Sequence, residues 1–358
     1  MPEISEVTAS GENDIYSSSG FLPWLEAHDC SIVYTTYQAG KLSFLGTRDN
    51  RLWLHERAIE HCQGLWTNGN KIWVSSLYQL HMLQNALPKG ERMTNGCDAN
   101  FVPRITRTTG QLDTHDIIIT DAGQLLFANT RYNCIATPSD TASFECVWKP
   151  PFISKLVPED RCHINGLTLK DGKPGFATCL ARSDVLDGWR DKRRDGGIVI
   201  DLQSNEIVTT GLSMPHSPRY RDKKLWVLNS GQGEFGYIDL KTGKFEAVCF
   251  CPGYARGLAL IGDYAVIGLS LPRVRHTFDG LALDDLLKEK DTEARCGLII
   301  VDIKKGIVME WLRIKSKVTE LYDVSILPGI RQPRAVGFMK KEELCSEISL
   351  EVGKGFAA

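Results

Sequence analysis

The sequence has no CxxC pair among its eleven cysteines, no long apolar run, almost no helical periodicity and no excess of either charge. Each absence closes a class. An odd number of irregularly spaced cysteines reads as reduced, mostly buried thiols rather than a disulfide framework. Cys249-Phe250-Cys251 is the one close pair, and its sulfurs would share one side of a strand, where core packing explains them better than metal binding. Without about 18 consecutive apolar residues no helix spans a bilayer. With 42 basic against 44 acidic side chains and a net charge of -2, the chain lacks the basic face that displaces counterions from nucleic acid. The basic run Arg190 to Arg194 is interrupted by Asp191 and reads as a solvated loop. Residues 1–20 are rich in Ser and Glu, with no cationic stretch leading into an apolar one, so they read as a flexible tail and not a signal peptide. A cytoplasmic protein with neither membrane nor nucleic acid as partner is the expectation.

What the chain does contain is short β-branched and aromatic runs broken by Gly, Asp and Asn turns, which points to an all-β fold. One phrase recurs: an apolar strand, a turn, then a second strand ending in small polar residues. Leu65-Trp66 leads through Asn68-Gly69-Asn70 into Ile72-Trp73-Val74-Ser75. His115-Asp116-Ile117-Ile118-Ile119 leads into Leu125-Leu126-Phe127-Ala128-Asn129, and His163-Ile164-Asn165-Gly166-Leu167 into Gly175-Phe176-Ala177-Thr178. Further copies start at His216, at Arg256 and at Leu321. The steps from Leu65 to Ile117, Leu167, Tyr220, Leu258 and Val324 are 52, 50, 53, 38 and 66 residues, a period suited to four-stranded propeller blades. The expectation is a six-bladed β-propeller over residues 21–340, followed by a C-terminal tail at 341–358. Residues 31–55 precede the first full copy and are expected to supply the outer strands of the last blade, closing the ring from both chain ends. If Ser31 to Trp53 were a blade of its own, there would be seven. Residues 277–293, with Leu281, Leu283, Leu286 and Leu287 among charges, read as a helical insertion decorating the sixth repeat.

In a propeller the start of each inner strand faces the axis, so a column in the repeat becomes a ring in space. Four of the eight histidines, His61, His115, His163 and His216, fall in that column, beside Arg256 and Glu320-Leu321-Tyr322-Asp323. Three imidazoles and a carboxylate are a ligand set for zinc, iron, copper or manganese. The expected metal ligands are therefore His115, His163 and His216, completed or flanked by Glu320 or His61. Tyr322 and Asp323 are the expected acid and base, and Arg219 and Arg256 the expected forks for a substrate carboxylate or phosphate. The blander reading sets each histidine on a backbone group at a blade junction and each arginine on a neighbouring Asp. No HExxH or GxSxG is present, so the inference rests on the repeat alone.

Pro215-His216-Ser217-Pro218-Arg219, followed by Leu225-Trp226-Val227-Leu228-Asn229-Ser230-Gly231-Gln232-Gly233-Glu234-Phe235-Gly236, resembles the hallmark of a bacterial family of conserved proteins of unknown function. Cys162 to Leu167, Ser183-Asp184, Gly188-Trp189-Arg190 and Gly196-Gly197 are similar to further parts of that pattern, which implies one coherent domain and no particular reaction. At the level of fold the chain is similar to six-bladed propellers of the gluconolactonase and senescence-marker type and to the peptide-amidating lyase. The lyase's zinc is held by three histidines; gluconolactonase-like sites use carboxylate and asparagine ligands, which the histidine column here departs from. The expected function is a metal-dependent lyase, hydrolase or oxidoreductase acting on a small molecule or peptide. The alternative is a non-catalytic propeller that binds a protein or peptide partner, with structural histidines.

Overall fold

The structure is a computed structural model that describes residues 4–7, 14–272 and 280–350. Six largely antiparallel sheets stand in a ring. Blade 1 runs from Leu65–Thr67 outward to Ala99–Thr108, blade 2 from Thr114–Ile119 to Glu145–Trp148, and blade 3 from Ile164–Lys170 to Ile207–Leu212. Blade 4 runs from Pro215–Arg221 to Lys244–Phe250, and blade 5 from Tyr254–Ile261 to Ile307–Lys315. Blade 6 closes the ring as expected: Val324–Pro328 is its inner strand, and Cys30–Thr36, Lys41–Arg48 and Arg51–Ala58 are the outer three. Residues 31–55 are therefore not a seventh blade.

Three expectations need correction. Part of the supposed N-terminal tail is structural, because Ile4–Val7 and Asp14–Ser18 pair in turn outside Ile307–Lys315 and extend blade 5 to six strands. Residues 1–3 and 8–13 lie outside the described residues. The helical insertion belongs to blade 5 rather than to the sixth repeat: Ala282–Glu289 sits between strands Tyr264–Ser270 and Gly297–Asp302, with Leu283 and Leu287 buried. Of its expected span, 277–279 lie outside the described residues. At the other end Pro333–Ala335 pairs in parallel with blade 1 and Lys341–Ser346 forms a short helix, while 351–358 lie outside the described residues.

Turn chemistry sets the blade edges. Arg221 faces Lys224 across a two-residue turn in which Asp222 and Lys223 both have positive φ, 54° and 61°, the twist that suits a hairpin. Apolar side chains fill the space between adjacent sheets, as where Leu126, Ile164, Ala177 and Ile200 join blades 2 and 3. At the axis the six inner strands alternate. Blades 1, 3 and 5 carry Gly64, Gly166 and Gly257 just before Leu65, Leu167 and Leu258, where blades 2, 4 and 6 carry Asp116, Arg219 and Asp323 just before Ile117, Tyr220 and Val324. A Cβ on Gly166 would lie 2.3 Å from Pro218 Cδ, so only glycine permits that approach. Side chains of blades 2, 4 and 6 lock every second junction. Leu167 N donates to Asp116 Oδ2 at 3.0 Å, Gly257 N to Ser217 Oγ at 3.0 Å and Leu65 N to Asp323 Oδ2 at 3.0 Å.

Candidate functional site

Just upstream of four inner strands the backbone passes through the left-handed region, at His61, Asp113, His163 and Met214. Asp and His tolerate that conformation; for Met it is a strained choice. The turn aims the histidine column toward the axis. His115 Nδ1 lies 2.8 Å from the Asp113 carbonyl, which can only accept, so Nδ1 carries the proton and Nε2 keeps its lone pair. His216 repeats this arrangement against the Met214 carbonyl at 2.8 Å, and its buried Nε2 has no hydrogen-bond partner among the described residues. His163 is held differently. Its Nδ1 lies 2.8 Å from Asp160 Oδ2, and the Trp189 indole N–H donates to the same oxygen at 3.0 Å.

Burial decides the charge of two of these rings. His115 is pushed down to about 4, chiefly by desolvation and against the opposing pull of Asp113. His216 is held well below the ordinary imidazole range by desolvation first and the Arg256 charge second. Both are neutral at pH 7, with Nε2 available as an acceptor.

A polar cavity of about 150 Å3 opens at this end of the axis, with His115, His163, Tyr322 and Arg256 in its wall. His115 and His163 meet edge to face with ring centroids 4.8 Å apart, and Tyr322 packs 5.4 Å from His115. Arg256 Nη1 is 2.5 Å from Glu320 Oε1, both residues are buried, and the guanidinium lies over the Tyr254 and Tyr322 rings. The insertion supports this end from behind, since Leu281, Leu283 and Leu287 pack in one cluster with Trp189, Met214 and Tyr254.

The expected site residues divide. His115, His163, Tyr322 and Arg256 share the polar cavity. His61 stands at the rim with its ring 5.0 Å from Tyr37, Glu320 is engaged by Arg256, and His216 is buried against Tyr254. Arg219 and Asp323 are elsewhere. Arg219 Nη1 lies 3.0 Å from Asp116 Oδ2 and its Nη2 3.3 Å from Asp323 Oδ1, while Nε donates to the Leu258 carbonyl at 3.0 Å. This bridge ties blades 2, 4 and 6 across the axis, so Arg219 is no substrate fork at the polar mouth and Asp323 no catalytic acid there. Beyond the bridge a second, mostly apolar funnel of about 420 Å3 opens between the later residues of the same inner strands. Among the described residues no three His, Cys, Asp or Glu side chains are placed to hold a metal ion, so the expected ligand set does not fit as it stands. Sequence reasoning missed Asp160, Trp189 and Tyr37, which come from loops outside the repeat.

The chain matches, over residues 19–336, a family model described as "Domain of unknown function (DUF4915)". No curated protein matches it by sequence. A chain from the crystal structure of a nidogen/laminin complex superposes with a TM-score of 0.52 at 11% identity, covering 84% of this chain and 99% of that one. Virginiamycin B lyase from Staphylococcus aureus superposes at 0.44 with 9% identity, covering 90% and 98%. Its catalytically inactive variant with quinupristin superposes at 0.42 with 10% identity, covering 87% and 99%. The nidogen likeness shows the propeller fold alone.

Proposed function

The chain belongs to the DUF4915 family, and from the geometry of its polar cavity we propose that it is an enzyme of acid–base type, a lyase, hydrolase or isomerase acting on a small polar molecule. The observation that carries this reading is the Asp160–His163 pair. A carboxylate on Nδ1 fixes the tautomer with the lone pair on Nε2, so Nε2 can accept a proton from a bound molecule and return it later. Neutral His115 beside it offers a second acceptor without adding charge. Arg256, fixed between two tyrosine rings and paired with Glu320, holds the wall beside these imidazoles rigid. The eleven free cysteines, most of them buried, support action in a reducing cytoplasm.

The test is a turnover screen of small molecules by mass spectrometry with wild-type, His163→Asn and Asp160→Asn protein, alongside elemental analysis of untagged protein. A general base contributes roughly 10²–10⁴ in rate, so His163→Asn should lose at least about a hundredfold. Turnover that survives His163→Asn would sink the assignment, and stoichiometric bound metal would recast the two imidazoles as ligands. The apolar funnel favours a second reading, in which this end binds an apolar group of a partner and the chain is a scaffold. That reading gains if no molecule is turned over and a partner's binding is lost when the funnel is filled by Ile118→Trp.

A further inference from the structure

Six rings form one arc around the polar mouth. Successive centroids from His61 to Tyr37, Tyr322, His115, His163 and Trp189 are 5.0, 6.0, 5.4, 4.8 and 4.4 Å apart. Four blades or their loops contribute, so the arc is no local stack. All but His61 line the cavity; aromatic faces carry negative potential, and a set of rings lining one cavity favours a cation.

The charges in the same wall point the same way. Asp160 is held by the His163 ring and the Trp189 indole, and Asp113 accepts from the Gln63 amide at 2.7 Å. Both carboxylates line the cavity. Its two guanidiniums each have a carboxylate of their own: Arg256 is on Glu320, and Arg190 lies 3.0 Å from Asp187 while stacking on Trp189 at 4.5 Å. The wall therefore holds acidic groups with neutral donors and spends its cations on other acids. An anionic substrate would meet two carboxylates and no uncommitted guanidinium.

We infer that the polar cavity binds a small organic ammonium group, primary or methylated, seated in the ring arc with Asp113 and Asp160 as its counter-charge. This deepens the proposed function and rests on the same cavity being the functional site. A volume of about 150 Å3 suits a head group rather than a whole peptide. Five of the eleven lining residues carry rings, and among the described residues no three His, Cys, Asp or Glu side chains are placed to hold a metal ion, which favours an ammonium over a bare metal ion.

Isothermal titration of the full chain tests it, with three probes: choline chloride, its neutral isostere 3,3-dimethyl-1-butanol, and sodium acetate. Choline should bind saturably and at least about tenfold more tightly than the alcohol, and acetate should give no heat of binding. Tyr37→Leu and Asp113→Asn should each weaken choline about tenfold, while Tyr37→Phe, which keeps the ring, should not. Equal binding of choline and the alcohol, preference for acetate, or choline affinity untouched in both weakening variants would overturn the inference. The titration needs no turnover. A protein that binds choline yet fails the His163-dependent screen loses the acid–base reading and keeps this one, whereas His163-dependent turnover of an anion does the reverse.

Discussion

The two ends of the same six inner strands have been given opposite tasks. At one end, residues just upstream of four of these strands turn through the left-handed region, and imidazoles, guanidiniums and carboxylates line a small polar cavity. The strands' later residues present Trp66, Ile118, Leu169 and Ala259 to a larger apolar funnel. Between them lies the Asp116–Arg219–Asp323 bridge, whose carboxylates are almost wholly buried at 3% exposure each. One strand thus lines the proposed site at its start and builds the bridge beyond, and the difference teaches where a substitution should cost stability and where it should cost function.

The largest stability effect is expected at the bridge. Arg219→Met removes the one cation facing two buried carboxylates, and breaking such an arrangement costs about 3–5 kcal/mol. Urea unfolding at pH 8 reads it directly. The triple variant Arg219→Met, Asp116→Asn, Asp323→Asn should recover most of the loss, because it leaves no charge stranded. At the polar end His163→Asn should cost less than about 1 kcal/mol, since a hydrogen-bonded side chain at a cavity wall is being replaced by another polar one. Equal costs at the two ends would break the comparison.

A somewhat smaller effect follows from the protons of the bridge. Desolvation raises Asp323 to about 7 despite Arg219, and raises Asp116 as well. The unfolded chain releases the same protons near pH ~3.9. The folded state therefore holds a proton that the unfolded state has lost, and the stability linked to it is full below pH ~4 and is lost as pH rises through about 7. Asp323→Asn removes that slope. The stability difference between wild type and variant should shift against wild type by about 1–3 kcal/mol from pH 4.5 to pH 8.5. Parallel curves over this range would show that Asp323 is ionised throughout.

The sequence made the ring legible because repetition is a long-range signal. Leu65, Ile117, Leu167 and Leu258 mark the same step in successive blades, and the unmatched strands at 31–55 had one place to go. The histidine column was legible for the same reason, and the structure brings His115 and His163 together. Asp160, Trp189 and Tyr37 escaped because loops have no column to align. Arg219 was misplaced because a register shift after His216 turns it down the axis instead of toward the mouth, and Asp323 because it is drawn onto Arg219 and the Leu65 N–H. One signal was present and unused: the alternation of Gly64, Gly166 and Gly257 with Asp116, Arg219 and Asp323, the three residues of the bridge, already marks a threefold pattern within the sixfold one.

The smallest expected effect is the sharpest check that the two ends are separate. Arg221 sits at the funnel, partly exposed, and pairs at 3.3 Å with Asp222, whose side chain is 83% exposed. Exposed pairs of this kind contribute about 0–1 kcal/mol, so Arg221→Ala should shift urea stability by no more than about 0.5 kcal/mol. It should leave choline affinity at the other mouth unchanged, because the bridge is a closed set of charges that holds the same hydrogen bonds with or without Arg221. A several-fold change in choline affinity in this variant would mean that the bridge transmits the loss from one mouth to the other, and the polar cavity would then have to be treated as coupled to whatever occupies the funnel.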